Sequence, residues 1–401
     1  MENVVISGMG IISALGCGVE QTLRALREER SGIGPLKYLQ TEHRDIPCAE
    51  VPFSDEELRE RLGLSPEEVV TRTALFGMMA LQEAWEAADL RHTPDKRLAF
   101  INGTTVGGME KSEQYYLDFL ENDSRNAYIA AHECGACTEK IADFMGGFSY
   151  VTTLSTACSS AANAIILGEN LIRAGLTDIA VVGGSECITK FHLNGFHTLM
   201  ILDDAPCRPF DATRVGLNLG EGAAYVVLEK ESLARKRGIQ PLCRLAGYGN
   251  ACDAFHQTAS SEEGTGAVLA MREALKTSGL QPSDIDYINA HGTGTRNNDA
   301  SEGRAIMQVF GKHIPRVSST KAMTGHTTSA SGSVEAVIAV LAIRYGFIPA
   351  NLRFGEAMPE LSFTPVPHTL ENVKVRNVLS NSFGFGGNNS SLIFSAVDAG
   401  A

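Results

Sequence analysis

No stretch of this sequence carries an uninterrupted apolar run of membrane-spanning length, and the opening Met1-Glu2-Asn3-Val4-Val5-Ile6-Ser7-Gly8 lacks the basic segment and long apolar core of a signal peptide. The reading is a cytoplasmic protein with no membrane span. Positive charge is scarce as well: 34 Lys and Arg face 47 Asp and Glu, for a net charge of −13. That balance argues against general nucleic-acid binding, which needs a basic surface, although Arg235-Lys236-Arg237 is a local basic cluster. Nine cysteines are scattered without a regular framework, so they read as reduced thiols and not as a disulfide scaffold. Cys134 and Cys137 form a CxxC, but no second pair or nearby His-x-x-x-His completes a zinc site. Gly8-x-Gly10 lacks the third glycine of a dinucleotide fingerprint, Ser13 standing there, and no acidic residue closes a second strand at the required distance.

What the chain does have is glycine, 40 in 401 residues, much of it where apolar runs end. Tight strand and helix junctions follow from that placement. Ser54-x-x-Glu57 and Ser65-Pro66-Glu67-Glu68 read as capping boxes that start two helices. In the second, Ala74, Met78, Leu81, Trp85 and Ala88 form a core-facing stripe. Strands are expected at Val4–Ile6, Leu98–Ile101, Val151–Leu154, Ile179–Val182 and Tyr225–Leu228, the first buried and the fourth buried on both faces, with a boundary in the polar segment that ends at Pro241.

The second half repeats this plan. Cys243 to Gly249 echoes the opening strand, and Tyr287-Ile-Asn289 echoes Phe100-Ile-Asn102. Val317 to Thr320, followed by Ser331 to Tyr345, copies the strand, turn and helix around Cys158, and Val378 to Phe383 matches the strand ending at Gly183. The expectation is an α/β protein of two duplicated units, 1–240 and 241–401, with glycine-rich strand ends from both converging on one site.

Reactive side chains fall at those strand ends. In Val151-Thr-Thr-Leu-Ser-Thr-Ala-Cys158-Ser-Ser, an apolar run reaches a cysteine and turns into a helix pattern. A thiol at a helix N-terminus meets unpaired N–H groups and the positive end of the helix dipole, both of which favour thiolate. His291 in Asn289-Ala-His291-Gly-Thr293-Gly-Thr295 and His326 in Ser319-Thr-Lys321-Ala-Met-Thr-Gly-His326 follow second-half strands. Asn381-Ser-Phe383-Gly-Phe385-Gly-Gly387 supplies a loop whose backbone can approach a ligand closely.

Taken with Thr156-Ala-Cys158-Ser-Ser160 and Pro209-Phe-Asp-Ala-Thr-Arg-Val-Gly216, these motifs resemble, over essentially the whole chain, the β-ketoacyl-acyl carrier protein synthases. The resemblance is to the elongating type with a Cys-His-His triad. It implies the thiolase-like fold, five layers α/β/α/β/α, and decarboxylative condensation of an acyl chain with malonyl on acyl carrier protein. It further implies Cys158 as nucleophile, the N–H groups of Cys158 and Phe385 as oxyanion hole, and His291 and His326 as donors to an enolate. Lys321 and Glu335 match a pair supporting His326, Thr293 and Thr295 match hydroxyls that bind the phosphopantetheine arm, and Phe383 and Phe385 match aromatics of the acyl tunnel. No metal or organic cofactor is implied, and the partners are acyl carrier protein and a second subunit, in a homodimer or a heterodimer with a related chain.

The chain departs from the family pattern in three places. Asn388-Asn389 follows the glycines where Thr-Asn is usual, and Val106 to Tyr116 and Phe191 to Met200, both expected to bound the acyl pocket, are not standard. A specialised acyl preference, such as polyene or aryl-primed chains, is the corresponding expectation. Other readings are weaker. A thiolase would need a cysteine near the C-terminal glycine loop, and none occurs after Cys252. A cysteine hydrolase would need a His and acid partner in place of two histidines and a lysine. A non-condensing chain-length-factor subunit would lack the nucleophile that Cys158 supplies.

Overall fold

Eleven strands form among the residues that the computed structural model describes, 2–93 and 95–397. The first half contributes β1 (Val4–Ser13), the short β2 (Gly16–Cys17), β3 (Leu98–Gly103), β4 (Tyr150–Leu154), β5 (Ile179–Glu186) and β6 (Gly222–Lys230). The second contributes β7 (Cys243–Cys252), β8 (Tyr287–Asn289), β9 (Arg316–Ser318), β10 (Asn377–Gly384) and β11 (Asn388–Ser395). Their order is β4-β3-β5-β6-β1-β7-β11-β10-β8-β9, with β2 on β1. Counted outward from β1 and from β7, each half pairs antiparallel, antiparallel, parallel, parallel. The repeat read from the sequence is therefore a repeat of topology, strand for strand. The halves join where Val5 and Ile6 pair with Arg244 and Cys243.

Helices complete the five layers, and each strand shows why. Within β5, Ile179 and Val181 face one core while Ala180 and Val182 face another, the period-two pattern of a strand buried on both sides. Outside the first half, the Arg72–Ala87 helix buries Phe76 and Leu81 against Phe100 and Tyr225. Between the halves lie the Ser160–Arg173 and Ser331–Tyr345 helices, whose Ile165, Val337 and Leu341 meet Val226 from one side and Leu392 from the other. The Thr265–Ser278 and Arg296–Phe310 helices close the far side, with Met271 and Ile306 against Ile288 and Leu379. Ser331 to Ala342 is buried without a break, which is what a helix in a middle layer requires.

One local reading changes. Ser65 does not start a helix: Glu68 N–H closes a turn on Ser65 O at 3.1 Å, and the helix begins at Arg72. Its cap is Thr71, whose hydroxyl accepts from Ala74 N–H at 3.2 Å, so the stripe from Ala74 to Ala88 is core as expected. Gly8 and Gly10 prove to be packing residues. A Cβ on Gly10 would lie 2.1 Å from Ala80 O, and one on Gly8 2.7 Å from Ala88 N, so only glycine lets β1 approach the Arg72–Ala87 helix this closely. Among the described residues no helix is long and apolar enough to cross a membrane.

Candidate active site

Cys158 follows β4 on a tight turn. Ala157 holds φ 52°, a left-handed conformation that costs a non-glycine residue about 1 kcal/mol. Ser160 secures it, its hydroxyl accepting from Thr156 N–H at 2.8 Å and donating to Ala157 O at 2.7 Å. The following helix starts at Ser160, so the thiol stands at a helix N-terminus as the sequence suggests. Its ionisation does not follow the simple expectation. Burial pushes the thiol up to about 11, against the Lys321 ammonium and the Phe385 N–H, which both favour thiolate. At neutral pH Cys158 is a thiol, and it needs a base.

His326 is in position to act as that base, with Nε2 3.2 Å from Cys158 Sγ. Burial first, then the Lys321 charge and His192, lower this imidazole well below its ordinary value, so it is neutral and can accept a proton. Its Nδ1 meets Ser331 Oγ at 3.0 Å. A hydroxyl can donate or accept, so Ser331 tolerates either tautomer. The first half holds the backbone: His326 N–H donates to Asn218 O at 2.8 Å, and Gly220 N–H to His326 O at 2.9 Å.

His291 follows β8, its ring 5.2 Å from that of His326 and nearly perpendicular to it. Burial, Lys321 and His326 keep it neutral too. Its loop is clasped by two acids that motif reading missed. Glu302 accepts the N–H groups of His291 and Gly292 at 2.8 and 2.7 Å and the Asn381 amide at 3.0 Å, while Asp299 accepts from Gly294 N–H at 3.2 Å. Both stand in the helix that follows the loop, at a spacing of three, which is the only signal the sequence carried.

Lys321 and Glu335 form a buried ion pair. Burial pushes Glu335 up to about 7, against the stabilising Lys321 charge. The ring partner of His326 is Ser331, so Lys321, held in place by Glu335, reaches both histidines and the thiol through its charge. Thr293 and Thr295, hydroxyls 2.9 Å apart, line a cavity of about 500 Å³ together with Cys158, His291 and His326. Phe383 and Phe385 complete the lining, and Phe385 stacks on Phe196 with centroids 5.6 Å apart. Leu199, Met200 and Val215 make an apolar wall. The Phe191 to Met200 stretch thus bounds the cavity, but Val106 to Tyr116 does not. There Lys111 pairs with Asp55 at 2.8 Å, and Glu110, Glu113 and Tyr115 line a separate polar cavity beside Arg72. Among the described residues no cluster of His, Cys, Asp or Glu is arranged to hold a metal.

The raised thiol has a measurable consequence. Alkylation of Cys158 by iodoacetamide, followed by peptide mass, is expected to accelerate about tenfold per unit between about pH 7 and pH 10, because thiolate grows tenfold per unit below the pKa. Lys321→Met should move that curve to higher pH; a plateau below about pH 9 would contradict the assignment.

Fold and site together define the thiolase-like class, in which a strand-end cysteine and groups from both duplicated halves share one cavity. The model of the β-ketoacyl synthase N-terminal domain matches residues 1–234, and that of the C-terminal domain matches residues 242–355. The chain belongs to the β-ketoacyl synthase family. It is 35% identical over 409 residues to nodulation protein E of Rhizobium meliloti (strain 1021), covering 99% of this chain and 100% of the relative. With 3-oxoacyl-(acyl-carrier-protein) synthase 2 of Staphylococcus aureus (strain COL) it shares 30% identity over 412 residues, 99% of each chain. Among solved structures, the ishigamide ketosynthase/chain length factor superposes with TM-score 0.92 at 32% identity, covering 99% of both chains. A ketosynthase in complex with its chain length factor from Xenorhabdus doucetiae gives 0.85 at 31%, covering 99% of this chain and 98% of that one.

Proposed function

We propose that this chain catalyses decarboxylative condensation of an acyl chain, held as a thioester on Cys158, with malonyl carried on acyl carrier protein. The observation that carries this reading is the convergence on Cys158 Sγ of His326 Nε2 at 3.2 Å and the Phe385 N–H, with the His291 ring beside them. The kinship to an enzyme named as a 3-oxoacyl synthase supports it. A non-condensing subunit would have no use for a thiol with a neutral base in contact.

In the first half-reaction the thiol proton passes to His326 Nε2 as sulfur attacks the acyl thioester. The N–H groups of Cys158 and Phe385 hold the oxyanion, the carrier thiolate departs, and it takes the proton with it. In the second, the malonyl carboxylate leaves as carbon dioxide and the bonding pair becomes an enolate. His291 and His326 hold its oxygen through N–H groups; for His326 this follows exchange with solvent between the half-reactions, Nδ1 losing its proton and Nε2 gaining one, after which the Ser331 hydroxyl donates to Nδ1. The enolate carbon attacks the acyl carbonyl, and Cys158 is released as thiolate to be reprotonated. Burial keeps both imidazoles neutral, as the enolate step needs, while it weakens His326 as a base, so the thiol proton moves to Nε2 in concert with the attack of sulfur.

The division of labour between the histidines is testable. His291→Ala is expected to slow condensation by about 10² to 10³, the effect of one lost oxyanion donor, while Cys158 acylation stays within about tenfold of wild type. His326→Ala should slow both steps. Single-turnover acylation and carbon dioxide release, measured separately, report the split; equal loss of acylation in the two variants would contradict it.

For the subunit partner, β4 is the edge of the sheet, with Tyr150 and Val151 43% and 37% exposed. An unprotected apolar edge of this kind suits pairing with another strand, from a second copy of this chain or a related subunit.

A further inference from the structure

Asn388, one of the departures from the family pattern, is the hub of a side-chain network that crosses from one half to the other. Its Oδ1 lies 2.9 Å from Ser159 Oγ, 3.2 Å from Asn163 Nδ2 and 3.0 Å from Asn250 Nδ2. Ser159 follows the nucleophile directly, and Asn163 lies one turn further along the same helix. The amide orientations are set by the network itself: Asn163 Oδ1 takes Ser390 Oγ and Asn250 Nδ2 at 2.7 and 2.9 Å, which leaves its Nδ2 for Asn388 and for Thr156 Oγ1 at 2.9 Å.

The position of this hub matters because of what precedes it. Gly386 and Gly387 hold φ 79° and 77°, a turn that glycine permits, and its backbone bonds, Gly386 N–H to Gln257 O at 2.8 Å and Asp253 N–H to Gly387 O at 3.2 Å, tie it to the second half alone. Asn388 is the first residue of β11 and pairs with both Gly384 and Cys252. A glycine turn presents Phe385 reproducibly only if its ends are fixed. Backbone pairing fixes Asn388 within its own half, and the side-chain oxygen ties it to the helix that carries the nucleophile. A threonine hydroxyl, shorter and with one oxygen on Cβ, has no atom at the position of Oδ1 to gather the two asparagine amides and the Ser159 hydroxyl, whose one proton is shared with Thr156 O at 2.7 Å.

We infer that Asn388 is a positioning residue for the acylation half-reaction, clamping the glycine turn so that the Phe385 N–H stays on Cys158. This rests on the condensing function proposed above. Losing the clamp lets the Phe385 N–H drift from the sulfur and from the site of the oxyanion.

The test uses Asn388→Ala and Asn388→Thr, the second restoring the residue usual in the family and so a safeguard against simple misfolding. Three quantities are measured on each: single-turnover acylation by acyl-carrier protein, the pH profile of Cys158 alkylation, and the thermal midpoint. With the fold intact, both variants are expected to acylate about 10- to 100-fold more slowly, with the alkylation curve moved to higher pH because a donor to the thiolate is lost. An unchanged acylation rate would overturn the inference. So would slower acylation with an unmoved alkylation curve, which would assign Asn388 to general stability or access. Failure of the wild type itself to acylate is a separate result and would remove the proposed function beneath it.

Discussion

Replacing Cys158 with alanine is expected to lower β-keto product formation by about 10⁴-fold or more, since a covalent route loses its only bond-forming atom. No neighbour can substitute. The Ser159 hydroxyl is engaged by Thr156 O at 2.7 Å and Asn388, and the Ser160 hydroxyl donates to Ala157 O, so both are committed to the turn and point away from the role of nucleophile. The fold should survive, because a cysteine to alanine change in a buried site removes one atom and costs about 1 kcal/mol. A product assay with a thermal melt checks both halves of this expectation. Retention of more than about a hundredth of wild-type turnover would mean that the chemistry runs without the thiol.

Glu302→Ala carries the second large effect, and it acts on stability as well as rate. The carboxylate lies in the interior, pushed up to about 6 by burial even though Gly292, Asn381 and His291 donate to it. Alanine leaves two backbone N–H groups and an amide unsatisfied, each worth about 1 to 3 kcal/mol when buried, so a loss of about 3 kcal/mol or more is expected in denaturant unfolding. The His291 loop then loses its anchor. Condensation should fall further than acylation, because His291 serves the enolate and not the thiol attack. Glu302→Gln, which keeps one acceptor oxygen, should recover part of the stability. A variant as stable as wild type would show that the loop is held by other contacts.

The features legible in sequence share a physical basis. Strands such as Ile179–Val182 and Tyr225–Leu228 lie between helix layers, so both faces must be apolar and the run stands out. Repetition of that signal in both halves carried the duplicated topology. Cys158 and His291 were legible because each closely follows a strand, and His326 because it stands between the short β9 and the Ser331–Tyr345 helix. What stayed hidden depends on contacts across the fold. Nothing beside Cys158 announces that burial outweighs the helix start and leaves a thiol in need of its base. Asn388 reads as a departure whose partners Ser159, Asn163 and Asn250 lie 229, 225 and 138 positions away. Ser65 misled for the opposite reason: its local pattern suited a cap, but the turn closing at Glu68 and the cap at Thr71 displaced the helix start to Arg72. The charges of Val106 to Tyr116 were visible, but their destination, Asp55 for Lys111 and the N–H groups of Lys190 and Phe191 for Glu113, was not.

The central claim is that an acyl group rests on Cys158 between two half-reactions. Intact and peptide mass of the wild-type protein, taken after acyl-carrier protein and again after malonyl-carrier protein, tests it most directly. The account requires an acyl adduct on the Cys158 peptide after the first addition, and its disappearance after the second with carbon dioxide and a β-ketoacyl carrier product. No adduct with any acyl donor, or an adduct lost as free acid without β-keto product, would contradict it.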